Sequence, residues 1–233
     1  MIRFETIHLE TIHGCSRACW FCPNSHIRGT GALMPWEMIE GLLAQLVAMG
    51  FDGTVRPYLM NEAFLDQRMM EIVRTIRERL PNARCVINSN GDLLTPEMAL
   101  ALVALGVKIR VSAYDRATIE KFRGAPVHVT NFVRSKTELA QIFNNRSGNI
   151  EMPGAEPRQG TCVLPWTSLP VRHNGDVVLC CNDYNSDVVM GNVNEASLAK
   201  IWQNRRFTAY RTALGTCDRS SLRLCSQCSF LGV

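Results

Sequence analysis

Cysteine placement constrains this chain more than any other feature of its sequence. Ten cysteines fall among 233 residues, at positions 15, 19 and 22, then alone at 85, then at 162, 180, 181, 217, 225 and 228. The opening residues MIRFETIHLE lack the long apolar stretch and small-residue cleavage site of a secretory signal, so a cytoplasmic setting is expected. In a reducing compartment a disulfide framework is disfavoured, and metal or redox chemistry becomes the natural use of so much thiol. A composition of 46% hydrophobic and 20% charged residues is that of an ordinary globular protein and excludes disorder. No apolar run reaches the length of about eighteen residues that a membrane span needs. The net charge of +4 is spread without a Lys/Arg block, so neither nucleic acid nor membrane is expected as a partner.

Between the cysteine groups the chain has a βα rhythm. Strands are expected at Phe4 to Leu9, Thr54 to Met60, Arg84 to Asn88, Lys108 to Ala113 and Val127 to Val129. Helices are expected after Pro35, from Asp66 to Leu80, and from Pro96 to Leu105 behind a Thr95 cap. Past residue 145 Asn, Gly, Ser and Pro crowd together as in a linker. Beyond them, Ser168 to Arg172 and Asp176 to Cys180 flank His173-Asn174-Gly175 as a hairpin, followed by one helix from about Ser197 through Trp202 to Tyr210. The fold class expected is α/β: an incomplete parallel (β/α) barrel over 1–145, and a small cysteine-bearing unit over 146–233.

Cys15, Cys19 and Cys22 form a C-x3-C-x2-C pattern in the loop after the first strand. Three thiolates leave one iron of a four-iron cluster open, a place where substrate or cofactor can bind metal. A Cys3His zinc site using His13 or His26 is the structural alternative. The pattern, with aromatic Phe21 before its last cysteine, resembles the radical S-adenosylmethionine (SAM) superfamily. The resemblance implies that Cys15, Cys19 and Cys22 hold an open [4Fe-4S] cluster, that SAM binds its free iron, and that Phe21 lies against the adenine. It further implies a 5′-deoxyadenosyl radical as hydrogen abstractor, with reduced flavodoxin or ferredoxin as electron donor. Glu62, with Asn61 beside it, stands where the family receives the methionine ammonium, and Ser89, Asn90 and Ser112 stand where it contacts the SAM ribose. The plain alternatives are a solvated loop acid for Glu62 and an ordinary turn for Ser89-Asn90.

Cys162, Cys180, Cys225 and Cys228 can close a site of iron or zinc, and spacing alone does not separate the two. The order of a cysteine, a hairpin ending in cysteine, Met190-Gly191-Asn192, a Trp-bearing helix and a final C-x2-C resembles the twitch form of the family's SPASM-type domain. That implies one auxiliary [4Fe-4S] cluster on those four cysteines. Among SPASM-type enzymes, Asn145-Arg146 and the Asn90-Gly91-Asp92 run resemble members that oxidise a secondary alcohol of a small polyhydroxylated substrate, aminocyclitol or sugar-like, in antibiotic biosynthesis. Arg146 would then touch the substrate, better as a hydroxyl or alkoxide stabiliser than as a base. Such members lead one to expect an aromatic and an acidic residue directly after the hairpin cysteine, where this chain has Cys181-Asn182. Cys181 is a candidate hydrogen donor in an epimerase, or else a thiol packed under the cluster; Cys217 is a second candidate, and Cys85 a buried apolar side chain. Peptide modification is the other alternative, disfavoured because the first strand begins directly after Met1 and leaves no peptide-binding domain ahead of it. A monomer is expected.

Overall fold

In the computed structural model, residues 4–27 and 29–232 are described. Their strands form a single sheet of eight in the order β5-β4-β3-β2-β1-β6-β7-β8. The first five are β1 (Thr6–Leu9), β2 (Thr54–Arg56), β3 (Arg84–Ser89), β4 (Val107–Ala113) and β5 (His128–Asn131). All neighbouring pairs among them are parallel, as buried strands joined through helices must be. On the other flank β1 pairs in parallel with β6 (Ser168–Val171), which turns back into antiparallel β7 (Asp176–Val178) and β8 (Val189–Asn192). The two edges, β5 and β8, do not pair, so the barrel is incomplete. The expected hairpin is therefore not an appendix but a continuation of the barrel's own sheet.

The helices follow from apolar spacing and caps. In α1 (Trp36–Ala48) Ile39, Leu42, Leu43 and Leu46 are buried, and in α2 (Met69–Arg79) Met69, Ile72, Val73 and Ile76 repeat the same interval. Thr95 accepts from the Met98 amide at 3.1 Å to start α3 (Pro96–Ala104), and Asp115 accepts from Thr118 at 2.7 Å to start α4 (Arg116–Lys121). A capping box of Ser135 with Glu138 opens α5 (Lys136–Ile142). Sequence patterning did not assign α4, α5 or the single turn α6 (Leu164–Thr167), whose apolar faces are too short to show periodicity.

Two expectations are corrected. The second strand ends at Arg56 rather than Met60, because Pro57 has no amide hydrogen for the ladder and the chain peels away from the sheet there. The single C-terminal helix is two, α7 (Leu198–Trp202) and α8 (Arg205–Gly215). Asn204 divides them: its Oδ1 accepts from the Phe207 amide at 2.9 Å while its Nδ2 donates to the Met190 carbonyl at 2.5 Å.

The β1–β6 junction carries a buried charge cluster. Glu10, 0% exposed, continues the ladder through its amide to the Val171 carbonyl at 2.8 Å. Its Oε2 lies 2.8 Å from Arg172 Nε and 2.9 Å from His173 Nδ1. Arg172 in turn donates to the Tyr184 carbonyl at 2.9 Å, so one carboxylate fixes both hairpin and following loop. Replacing Glu10→Ala strands the Arg172 guanidinium, and the expected loss of stability is about 3–5 kcal/mol. Denaturant unfolding under anaerobic conditions measures it, and a loss below about 1 kcal/mol, the value of a surface pair, would show that the cluster is solvated.

Candidate functional site

The loop holding the first cysteines leaves β1 through Gly14 and returns at Gly29. A side chain at Gly29 would stand 2.2 Å from the Gly14 Cα, so only glycine lets the loop close on itself. Cys22 donates its amide to the Cys19 carbonyl at 2.9 Å, which draws the three cysteines onto one curl. Arg17 ties the curl to the sheet, bonding Asp92 at 2.8 Å beyond β3 and Asp115 at 2.7 Å beyond β4.

Cys15, Cys19 and Cys22 line a cavity of about 430 Å³ at the carboxyl ends of the strands, within the size of small-molecule sites. Glu62, Asn61, Phe21, Ser89, Asn90, Ser112, Arg146 and Cys181 line it too, so the expected site residues of this group converge. Glu62 is 3% exposed, and burial raises its pKa against the three bonds it accepts. These come from Ser89 Oγ at 2.7 Å, the Asn90 amide at 2.8 Å and the Phe64 amide at 3.3 Å. Ser89 thus spends its hydroxyl on aiming Glu62. Asn90 reaches across to Ser16 at 2.9 Å, with Cys15 Sγ 3.8 Å away. Burial pushes the Tyr114 hydroxyl up to about 12, against a lowering influence from Ser112. Phe21 is buried and stacks on Phe143, ring centroids 4.4 Å apart, within an aromatic wall completed by Tyr114 and Phe132.

Other cavity residues were missed by sequence reasoning. Arg56, Asn88 and Tyr114 sit at strand ends, the positions where such sheets put chemistry, and could have been found by that rule. Phe143 and Tyr184 come from irregular loops and carry no sequence signal. A wider open groove of about 1090 Å³ beside α5 contains no cysteine.

Cys162, Cys180, Cys225 and Cys228 surround a separate small space of about 20 Å³, walled mainly by apolar side chains, among them Leu164, Leu179, Leu214 and Leu224, with Ser147, Asn182 and Arg219 its other polar members. Burial raises the Cys162 thiol, drives Cys180 well above its ordinary value and pushes Cys225 up to about 12, each further raised by its neighbouring cysteines. In the first set Cys19 is likewise raised to about 11 by burial and then by Cys22 and Cys15. Thiols that disfavour one another's ionisation need a cation to become thiolates, which a bound metal centre would supply. Among the described residues no three His, Cys, Asp or Glu side chains close around a single ion. His13, offered for a zinc site, instead stacks on His173 at 4.7 Å and bonds Thr30 at 3.2 Å.

The two spaces share a wall. Cys180 faces the closed space and Cys181 the open cavity, while Ser147 and Arg146 divide in the same way. Asn182 bridges them, accepting from Arg146 Nη1 at 3.4 Å with its Nδ2 4.0 Å from Cys228 Sγ. Cys85 is buried in the core as expected; Cys217 is exposed and lines neither space.

The radical SAM family profile matches residues 9–129, and the SPASM profile, an iron-sulfur cluster-binding domain, matches residues 162–229. The chain belongs to the radical SAM superfamily. It is 30% identical to the SAM-dependent 2-deoxy-scyllo-inosamine dehydrogenase of Niallia circulans, over 99% of this chain and 94% of the relative. The crystal structure of BtrN with AdoMet and 2-DOIA superposes with a TM-score of 0.84 at 28% identity, covering 99% of this chain and 95% of that one. AdoMet-bound anSMEcpe, at 11% identity and a TM-score of 0.61 over 94% of this chain and 84% of its own, shares the fold. SAM, a SAM-binding [4Fe-4S] cluster and an auxiliary iron-sulfur centre are accordingly this protein's cofactors.

Arg219, 1% exposed, holds the closed space together by donating to the carbonyls of Gly160 (2.9 Å), Thr161 (2.5 Å), Phe230 (2.7 Å) and Leu231 (3.3 Å). Arg219→Ala leaves these carbonyls without a donor, and the expected outcome after reconstitution is a fall from about eight iron per chain to about four, with SAM binding retained. Iron and sulfide analysis reads it; a variant keeping all its iron would show that the clamp is dispensable.

Proposed function

We propose that this protein is a radical SAM dehydrogenase that oxidises a secondary alcohol of a small polyhydroxylated substrate, aminocyclitol or sugar-like, to a ketone in natural-product biosynthesis. The observation that carries the reading is the shared wall: a four-cysteine space one residue away from the substrate cavity gives an oxidation somewhere to send its second electron. The relative of similar length, named a 2-deoxy-scyllo-inosamine dehydrogenase, supports the same chemistry.

In this reading Cys15, Cys19 and Cys22 hold the SAM-binding cluster, and Cys162, Cys180, Cys225 and Cys228 the auxiliary one. When bound, these groups supply a radical able to take a carbon-bound hydrogen and an acceptor for the electron left behind. Glu62, aimed by Ser89 and the Asn90 amide, receives the methionine ammonium, and Asn61 lines the cavity beside it. Asn90 and Ser112 line the ribose side, and Phe21 with its aromatic neighbours excludes water from the reacting carbon. Arg146, which lines the cavity and forms no ion pair among the described residues, donates to the substrate oxygen and so favours loss of the hydroxyl proton. Cys181 is the second candidate at the reacting centre. Reduced flavodoxin or ferredoxin serves as electron donor to a cytoplasmic monomer.

Two measurements separate this from the epimerase alternative, in which Cys181 returns a hydrogen atom. A dehydrogenase product is about two mass units lighter than substrate and takes no deuterium from heavy water at the attacked carbon, whereas an epimerase product is isobaric in ordinary water and gains about one unit in deuterium oxide. Cys162→Ala is expected to leave SAM cleavage largely intact and abolish product; unchanged yield removes the auxiliary centre from the electron path. Deuterium incorporation lost in Cys181→Ala would establish the epimerase instead.

A further inference from the structure

Apart from the cysteines that hold the clusters, the side chains lining the substrate cavity carry an excess of positive charge. Glu62 is the only carboxylate among them, and its oxygens are already engaged by Ser89, Asn90 and Phe64. Of the three arginines, Arg17 is neutralised by Asp92 and Asp115. Arg56 and Arg146 form no ion pair among the described residues, and the Nε of each is buried without a hydrogen-bond partner.

Arg56 is the more telling of the two, because nothing in the reading above employs it. It ends β2, where Pro57 turns the chain off the sheet, and it lines the cavity; its Nη1 donates to the Tyr58 hydroxyl at 3.2 Å, while its Nε is buried without a hydrogen-bond partner among the described residues. Apart from the cysteines, the side chains around it add no negative charge. Arg110 acts on the same Tyr58, Arg146 acts with Arg56 on the Cys181 thiol, and His8 is held neutral, its pKa lowered to about 3 by burial and then by Arg56. A half-buried guanidinium with no carboxylate partner among the described residues, next to a tyrosine hydroxyl, is costly unless a ligand completes it, and a planar fork of donors suits a carboxylate or phosphate.

We propose that Arg56 receives an anionic group, carboxylate or phosphate, carried by the polyhydroxylated substrate. The inference rests on the dehydrogenase reading for the rest of the substrate, with the reacting alcohol at Arg146. A substrate whose only charge is an ammonium would instead meet two uncompensated guanidiniums in the cavity.

The test is equilibrium binding to the reconstituted, SAM-loaded protein without reductant, so that its outcome is independent of whether turnover yields a ketone. The ligands are myo-inositol, glucosamine, glucuronate and inositol monophosphate. One of the two anions should bind about tenfold or more tightly than the neutral and amino compounds, and which of them does so distinguishes carboxylate from phosphate. Arg56→Gln, which keeps donors but removes the charge, should erase that margin while leaving myo-inositol and SAM binding unchanged. No margin for either anion, tightest binding by glucosamine, or a margin that survives Arg56→Gln overturns the proposal. A fall in SAM affinity in Arg56→Gln equal to the anion's would also overturn it, assigning Arg56 to the SAM carboxylate.

Discussion

The pairing of β6 with β1 is the contact on which the functional architecture depends. Thr6 to Leu9 lie in register with Ser168 to Val171, so the strand after the long irregular excursion continues the sheet instead of starting a new one. Because β7 returns antiparallel from β6, the residues at its end, Cys180 and Cys181, arrive beside the cavity mouth. Glu10 reinforces the join where the ladder ends, in a place too buried to tolerate Arg172 alone. One strand pairing thus sets the spacing between two cysteine-lined spaces whose cysteines are more than a hundred residues apart.

Much of this was legible in the sequence because cysteine spacing and apolar periodicity are local signals. The C-x3-C-x2-C curl, the capped helix after Thr95 and the hydrophobic face of α1 each depend on residues a few positions apart, and each stands close to where it was expected. The continuity of the sheet was not legible, since a hairpin's sequence says how its strands pair with each other and nothing about an outer partner. The break at Asn204 was hidden for a related reason: a helix-compatible apolar pattern runs through it, and the competing bond to the Met190 carbonyl is tertiary. Arg56 was read past because one arginine at a strand end looks like any other until its surroundings are seen to lack a carboxylate.

The cavity and the closed space differ in ways that suit different work. The first mixes donors, acceptors and aromatic faces around an opening, as a site that must admit and orient a ligand does. The second is small, apolar and without a polar side chain to spare beyond Ser147, Asn182 and the spent Arg219. A dry shell lowers the local dielectric around a redox centre and limits reorganisation of solvent, which favours passing electrons over binding substrate.

Backbone conformation ties the two together. Arg146 and Ser147 both adopt positive φ, 50° and 56°, and Gly148 follows at 84°, a run that side-chain-bearing residues sustain only when their surroundings enforce it. The enforcement comes from Asn145, whose side chain donates to the Gln227 carbonyl at 2.7 Å and accepts from the Ser229 amide at 2.9 Å, clasping the loop around Cys228. Arg146, which lines the open cavity, is thus held in place by the C-terminal cysteine loop. Substitutions at Cys225 or Cys228 would therefore disturb Arg146 as well as the iron, and their effect on product formation would have two causes. Cys162 reaches the same space from the other side, outside the Asn145 clasp, so a change there separates electron acceptance from the positioning of Arg146.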